Sequence, residues 1–316
     1  MLIGHEKQWK FLKKSFEFGR IPHGLLFQGQ EKLGKRTFAL EFIKLVNCQN
    51  NELTARPCQK CISCQAIGKG RHPDFVLVEP FKKEIQISQI RDLSLKLASK
   101  PSLASFKSAI IDQAHLMTRE AQSCFLKTLE EPKGKTILIL ITQYPERLLP
   151  TILSRVQRIK FYPVEKVDIK NYLISQGLSE KKAEQLSAIS LGKPGRAIEF
   201  LDSVKLGDRE QKISNLIKIS NSPFAFRFQY LKGLSLESSD LKETLEIWLT
   251  YFRRALLTRL NFKGKDTGEQ MEKSPITNYS LSKLKKILQL IEDTIFYIST
   301  TNVNPRLALE VLMLEL

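Results

Sequence analysis

The stretch from Gly29 to Thr37, G-Q-E-K-L-G-K-R-T, has the spacing of a phosphate-binding loop. Such a loop reads G-x-x-x-x-G-K-S/T: backbone N–H groups and a lysine hold phosphates, and the hydroxyl after the lysine ligates Mg²⁺. Gly29, Gly34 and Lys35 fit, but Arg36 stands where the hydroxyl belongs. Thr37 supplies a hydroxyl one residue late, about 100° further round a helix, which is poor geometry for the same metal. A second departure falls on the same reaction. An apolar strand ending in Asp-Glu is the usual other half of a hydrolysing site, the Asp assisting Mg²⁺ and the Glu polarising the attacking water. Here the run Ser108 to Ile111 ends in Asp112-Gln113, and a neutral carboxamide cannot take a proton from water. Taken alone, Asp112 reads either as the metal-assisting acid or as a helix N-cap or loop acid.

Cys48, Cys58, Cys61 and Cys64 offer a different chemistry: four thiols within seventeen residues, the last three at C-x-x-C-x-x-C spacing. In a reducing compartment this clustering argues against structural disulfides and for one tetrahedral Zn²⁺ held by four thiolates, a closed structural site. Free thiols or a damaged site are the alternatives. His72 is a weaker substitute ligand, and Cys124, on an apolar helical face, is most simply a core residue. Three further polar residues stand at the ends of elements. Thr142 closes a strand and either senses a phosphate or is only a strand-end Thr. Arg155, in L-P-T-I-L-S-R, sits on a Ser154-Arg155 turn. From there a guanidinium could reach a neighbouring subunit's nucleotide and stabilise charge in phosphoryl transfer. Arg196, in G-K-P-G-R-A, opens a short helix and points back over the nucleotide cleft or faces water.

Apolar periodicity supplies the elements that must position these residues. Trp9, Leu12 and Phe16 predict a helix over 5–18, His23 to Phe27 a buried strand, and Gly34 to Val46 a second helix. Strand, glycine loop and helix form the context in which a phosphate-loop match carries weight. Strands are also expected at Phe75 to Val78, Ser108 to Ile111, Thr136 to Thr142 and near Arg158 to Phe161. Helices at Ser88 to Ser99 and Thr118 to Glu131 separate them, the latter stopped by Pro132 and Gly134. Short continuous apolar strands alternating with helices imply a parallel sheet covered on both faces. Beyond Phe161-Tyr162-Pro163 come short amphipathic helices to about residue 205, then a helical bundle. Leu241, Leu245, Trp248, Phe252 and Leu256 make one of its stripes, and Leu284, Ile287, Ile291 and Ile295 another. Asn304-Pro305 reads as cap and first position of a last helix. Lys263 to Ser274 reads as a polar loop, and the aromatic positions read as core rather than base-stacking platforms.

Composition narrows the class. With 42% hydrophobic and 26% charged residues, the 316-residue chain is that of a globular protein of two or three domains. Its longest apolar run, around Ile137 to Ile141, is far short of the roughly 20 residues a membrane span needs. The first residues, M-L-I-G-H-E-K-Q-W-K, carry charge at once, so the cytoplasm is the expected compartment. Residues 1–200 hold 33 basic and 19 acidic side chains, against 17 and 14 in the remainder. The N-terminal two-thirds would be drawn to nucleotide or nucleic acid, unless the excess is only a lysine-rich, solvated surface.

The order of these parts resembles the delta-prime family of bacterial DNA polymerase III clamp-loader subunits, over essentially the whole chain. The Cys cluster, His72-Pro73-Asp74, Leu126 to Pro132 (L-K-T-L-E-E-P) and Ser154-Arg155 are the most family-specific pieces. The resemblance implies a AAA+ P-loop-type α/β domain (1–161) carrying a four-Cys zinc module (48–64). It also implies a small helical lid (162–205) and an all-α collar (206–316). No ATPase activity of its own is expected. Gly29, Gly34, Lys35, Thr37, Asp112 and Arg196 would then mark a degenerate nucleotide site that binds ATP weakly or not at all. The family also implies a place in a hetero-pentameric ring beside ATPase motor subunits and a delta subunit. There Arg155, with Ser154 beside it, lends an arginine finger while the ring opens the sliding clamp and loads it onto primed DNA. Val156 departs from the family's Ser-Arg-Cys; because the chemistry resides in the guanidinium, the departure is expected to touch packing only. Two other readings compete. An active AAA+ ATPase motor would need Thr37 to replace the missing hydroxyl. A zinc-dependent DNA-binding module would rest on a cysteine segment that holds only Arg56 and Lys60 as basic residues and no aromatics.

Overall fold

The computed structural model describes residues 2–233, 238–260, 279–301 and 303–316. The polar stretch Lys263 to Ser274 lies outside them. The chain divides into two compact units, Met1–Ile198 and Glu199–Leu316.

In the first unit, β1 (Gly24–Gln28), β2 (Phe75–Val78), β3 (Lys107–Ile111), β4 (Thr136–Thr142) and β5 (Gln157–Lys160) form one sheet in the order β2-β3-β4-β1-β5. All four pairings are parallel. Side chains alternate across a strand, so a run that is apolar throughout must bury both faces. Leu25, Phe27, Ile110, Ile137, Ile139 and Ile141 pack on one side with α1 (Glu6–Glu17), α2 (Lys35–Asn47) and α3 (Ile62–Gly68). Leu26, Ala109, Ile111, Leu138 and Leu140 pack on the other with α4 (Ile87–Ala98) and α5 (Arg119–Glu130). Thr118 caps α5 by accepting from the Ala121 N–H, as a helix start requires. The strands and helices expected from periodicity are present with ends shifted by a residue or so.

The rings of Phe27, Phe38 and Phe161 meet at centroid distances of 5.0–5.6 Å beneath the end of β1. They seat the chain where it leaves the sheet: a Cβ added to Gly29, which has φ +153°, would lie 2.5 Å from the Phe161 carbonyl oxygen. Only glycine lets the loop pass there. After β4 come α6 (Pro150–Leu153), then, past β5, α7 (Lys166–Ser175), α8 (Glu180–Ser190) and α9 (Pro194–Glu199), with Pro194 in the first turn as read from the sequence.

The second unit holds α10 (Ser203–Ser220), α11 (Phe224–Gly233), α12 (Ser238–Arg259), α13 (Leu281–Thr300) and α14 (Pro305–Glu315), and no strand among its described residues. Leu241, Leu245, Trp248 and Phe252 of α12 interlock with Leu284, Ile287 and Ile291 of α13 in one buried cluster. Asn304 caps α14 by accepting from the Arg306 N–H, with Pro305 at its first position. Among the described residues, no helix is long and apolar enough to cross a membrane.

Candidate functional site

β1 hands the chain to the glycine loop, and α2 begins at Lys35 behind Gly34, which has φ +86°. The Lys35 side chain is buried and turned into the loop itself. Its ammonium donates to the Gly29 carbonyl at 2.7 Å and also to that of Gln30. Two flanking segments hold the same loop. The Gly195 N–H at the start of α9 donates to the Lys32 carbonyl at 2.9 Å, and His5 Nε2–H donates to the Leu33 carbonyl at 2.8 Å. Burial lowers the His5 pKa; the Leu33 carbonyl opposes that shift and the Lys35 charge adds to it. Periodicity alone did not single out His5, because its role depends on a carbonyl 28 residues away.

Arg36 reaches the acids on the neighbouring strand ends. Its Nη1 lies 2.5 Å from Glu79 Oε1 and 3.5 Å from Asp112 Oδ2. The register explains the meeting, since Val78 pairs with Ile111 and the next residue on each strand is an acid. Glu79 was not expected; two adjacent parallel strands each followed by an acid was the signal for it. Asp112 Oδ1 accepts from the Gln113 N–H at 2.9 Å. Burial raises the Asp112 pKa, and the Arg36 charge works against that rise. A monovalent guanidinium thus neutralises the carboxylates that a divalent cation would hold in a hydrolysing site. Thr37 lies exposed on the first turn of α2. Thr142 Oγ1 bonds His115 Nδ1 at 3.1 Å and accepts from the Tyr144 N–H at 3.0 Å, which favours the strand-end reading. Arg196 is buried in α9, one residue after the Gly195 contact to the loop. Of its two expected orientations, the one facing water is therefore corrected.

Ser154 and Arg155 form the turn between α6 and β5. Ser154 Oγ donates to the Thr151 carbonyl at 3.0 Å and braces the turn. Arg155 Nη1 donates to the same carbonyl at 3.0 Å, and Nη2 lies 2.8 Å from Glu130 Oε1, with the two side chains 39% and 46% exposed. Glu130 belongs to L-K-T-L-E-E-P, so two family-specific motifs meet in one exposed ion pair. Val156 is buried in the α4–α5 core cluster, consistent with a packing role.

Cys48 follows α2, Cys61 caps α3 and Cys64 lies within it. The sulfurs of Cys48, Cys58, Cys61 and Cys64 lie within 4.8 Å of one another. Backbone N–H groups point at them: Cys58 to Cys48 Sγ at 3.5 Å, Cys61 to Cys58 Sγ at 3.3 Å and Cys64 to Cys61 Sγ at 3.4 Å. The Cys61 and Lys60 amides bring the Cys58 pKa down to about 6, while burial pushes the Cys64 thiol up. Four sulfurs with amide donors behind them are compatible with a zinc-type donor set. His72 is not part of it. The His72 ring is buried, its Nδ1 accepting from the Asp74 N–H at 3.1 Å and its Nε2 3.3 Å from Ser63 Oγ. In the same His-Pro-Asp motif the Asp74 carboxylate accepts from the N–H groups of Ser102, Leu103 and Ala104 at 2.7–3.0 Å. Burial alone would raise its pKa, and these donors hold it below the usual range. The motif shapes the turn that leads into β3. Cys124 is half-buried and packs against the α4–α5 core rather than lying inside it.

A parallel sheet in this order, with a phosphate loop after β1 and an acid after β3, defines a AAA+ P-loop-type domain. The family model described as DNA polymerase III, delta subunit, matches residues 4–165. The DNA polymerase III subunit delta' of Bacillus subtilis is 30% identical over 97% of this chain and 94% of its own length. That of Pseudomonas aeruginosa is 35% identical over 64% of each. Among solved structures, a DNA polymerase III gamma subunit-related protein of Thermotoga maritima covers 97% of both chains at 21% identity and a TM-score of 0.46. The chain belongs to the delta-prime family of DNA polymerase III clamp-loader subunits.

Proposed function

We propose that this chain is the non-hydrolysing delta-prime member of a cytoplasmic clamp-loader ring, and that Arg155 acts on ATP held by a neighbouring motor subunit. The observation that carries the reading is the position of Arg36. With its guanidinium on Glu79 and Asp112, and Lys35 on the loop's own carbonyls, both groups that would serve Mg²⁺ and phosphate are engaged within the chain. Gln113 cannot act as a base. Arg155, by contrast, stands on an exposed turn where its partners among the described residues are its own helix end and one exposed carboxylate. In this reading α7–α9 belong to a lid over 162–205, and 206–316 form the collar that joins the ring's other subunits. Leu307, Val311 and Leu314 leave an exposed apolar stripe along α14, at helical spacing, that suits such a contact. Cys48, Cys58, Cys61 and Cys64 hold a structural Zn²⁺ that fixes the insertion between α2 and β2. Motor subunits and a delta subunit are the partners, with the sliding clamp and primed DNA met through the assembled ring.

Co-purification with the motor subunit, followed by ATPase assay with and without this chain, tests the reading. The isolated chain is expected to show no turnover and the ring assembled with it a DNA-dependent rate. Turnover by the isolated chain that Lys35→Ala abolishes would overturn the proposal in favour of an active motor.

A further inference from the structure

The outer edge of β5, which among the described residues pairs with β1 alone, runs beside α1 and leaves an open groove of about 320 Å³. Lys7, Gln8, Phe11, Gln157, Arg158 and Lys160 line it, with no acid among the lining residues. Helical spacing carries the α1 side of the groove past Phe11. Residues 7, 11 and 14 share one helical face, and Phe18, the C-cap that follows α1, continues their spacing, so Lys7, Phe11, Lys14 and Phe18 alternate cation and ring. The aromatic residues of this helix divide between two roles. Trp9 and Phe16 pack against the core, whereas Phe11 is 45% and Phe18 74% exposed. Lys7, Lys14, Arg158 and Lys160 form no ion pair among the described residues, while the neighbouring Lys10 is held by Glu6 at 3.1 Å. The expectation that aromatic positions serve as core fails for these two phenylalanines.

We propose that this face binds single-stranded nucleic acid, with Lys7, Lys14, Arg158 and Lys160 meeting phosphates and Phe11 and Phe18 meeting base faces. At the helical rise, seven positions set the Cα atoms of Phe11 and Phe18 about 10.5 Å apart along the axis, a spacing that leaves room for bases between their side chains. A single strand exposes base faces for stacking, and a duplex does not. An acidic peptide added as a further strand is the other candidate for such an edge. The Gln8 amide already donates to the Lys160 carbonyl at 2.9 Å, which takes up a main-chain acceptor such a strand would use. The site gives the nucleic-acid partnership proposed above one particular groove. Its test uses the chain without motor subunits, so the outcome is independent of the role given to Arg155.

The experiment is fluorescence anisotropy of a labelled oligo(dT) with the full chain over a salt series. Lys7→Gln with Lys14→Gln is expected to weaken binding about tenfold at low salt and to reduce the log–log salt slope by about 1.4, the value for two phosphate contacts on a single strand. Phe11→Ala with Phe18→Ala is expected to weaken it by about thirtyfold or more with the slope unchanged. Lys181→Gln with Lys182→Gln, two exposed cations on α8, controls for net charge and should change affinity less than about twofold. Thermal melts confirm that each variant folds. Equal loss in the α8 control would overturn the site in favour of diffuse attraction. Silent phenylalanine substitutions together with equal duplex binding would overturn stacking. Displacement of the oligonucleotide by polyglutamate at equal charge would assign the groove to an acidic protein surface instead.

Discussion

Arg36 and Arg155 present the same guanidinium at similar exposure, 45% and 39% of the side chain, and differ in what surrounds them. Arg36 stands on the first turn of α2 and faces two acids contributed by adjacent strand ends, a setting fixed by the register of the sheet. Arg155 stands on a turn after a single-turn helix, where its partners are the Thr151 carbonyl, Ser154 and one exposed carboxylate. Removing Arg36 would leave two carboxylates facing each other. Removing Arg155 would cost the chain little, because exposed pairs contribute about 0–1 kcal/mol. In the proposed reading, the arginine least needed by its own chain is the one available to a neighbour.

The sharpest test of that contrast is Arg155→Ala. DNA-dependent ATP hydrolysis by the reconstituted loader should fall by on the order of 10³, while the melting temperature of the chain moves by less than about 3 °C. Arg155→Lys should recover little, since a lysine keeps the charge and loses the planar fork. An unchanged rate for either variant would end the arginine-finger reading. Next in size is the metal. Cys61→Ser, or chelation of the reduced protein, should abolish stoichiometric zinc measured by plasma mass spectrometry and lower the melting temperature. The ring's ATPase rate should change far less than with Arg155→Ala, since the turn that carries Arg155 lies between α6 and β5, whose Ile152 and Ile159 are anchored in the two cores of the sheet. A loss as large as that of Arg155→Ala would mean that the module, and not the turn alone, faces the neighbour.

Arg36→Thr restores the hydroxyl that the loop pattern expects and frees Asp112 and Glu79. Binding of Mg·ADP by the isolated chain should tighten by about tenfold, equivalent to about 1.4 kcal/mol, and should become dependent on Mg²⁺. The pH response carries a second signature. Burial already holds the Asp112 pKa above its ordinary 3.8, and loss of the Arg36 charge raises it further. A raised carboxylic acid binds its proton more tightly in the folded state, so stability falls as pH rises from the unfolded value to the folded one. Melting curves of Arg36→Thr should therefore show this fall extending to higher pH than in the parent chain. Identical curves and identical nucleotide binding would mean that Arg36 is an ordinary surface charge.

Much of this arrangement was open to inference from residue order. Thr136 to Thr142 is apolar in every residue between its two threonines, and only burial on both faces allows that, so the parallel sheet followed. The glycine loop, Asp112 and the four cysteines are local patterns, and the structure brings each set together. Glu79 and Glu130 were missed as partners for the opposite reason: each acquires its role from an arginine on a distant segment, through strand register in one case and a turn in the other. Arg196 offered two orientations in the sequence, and its burial depends on packing after β5 that no short motif encodes. Phe11 shares α1 with Trp9 and Phe16, and Phe18 caps its end, so only position on or just past one helix separates an exposed ring from a packed one.

The smallest expected effect concerns Glu130. If Arg155 serves a neighbour, it must leave Glu130 at 2.8 Å to reach a phosphate beyond its own subunit. Glu130 then acts as a resting partner that competes with the neighbour's nucleotide for one guanidinium. Glu130→Gln removes the charge and keeps the shape, so the chain's stability should change by less than about 1 kcal/mol, as for other exposed pairs. With the competitor gone, the ring's ATPase rate should hold or rise by no more than about fivefold, the factor that 1 kcal/mol supplies. The contrast with Arg36 is sharpest here, because the Asp112 side chain is 16% exposed and that of Glu130 46%, so replacing Asp112 disturbs the less solvated carboxylate. A fall comparable to that of Arg155→Ala would make Glu130 a positioning residue for the guanidinium, and would show that Arg155 is as firmly bound into its own chain as Arg36.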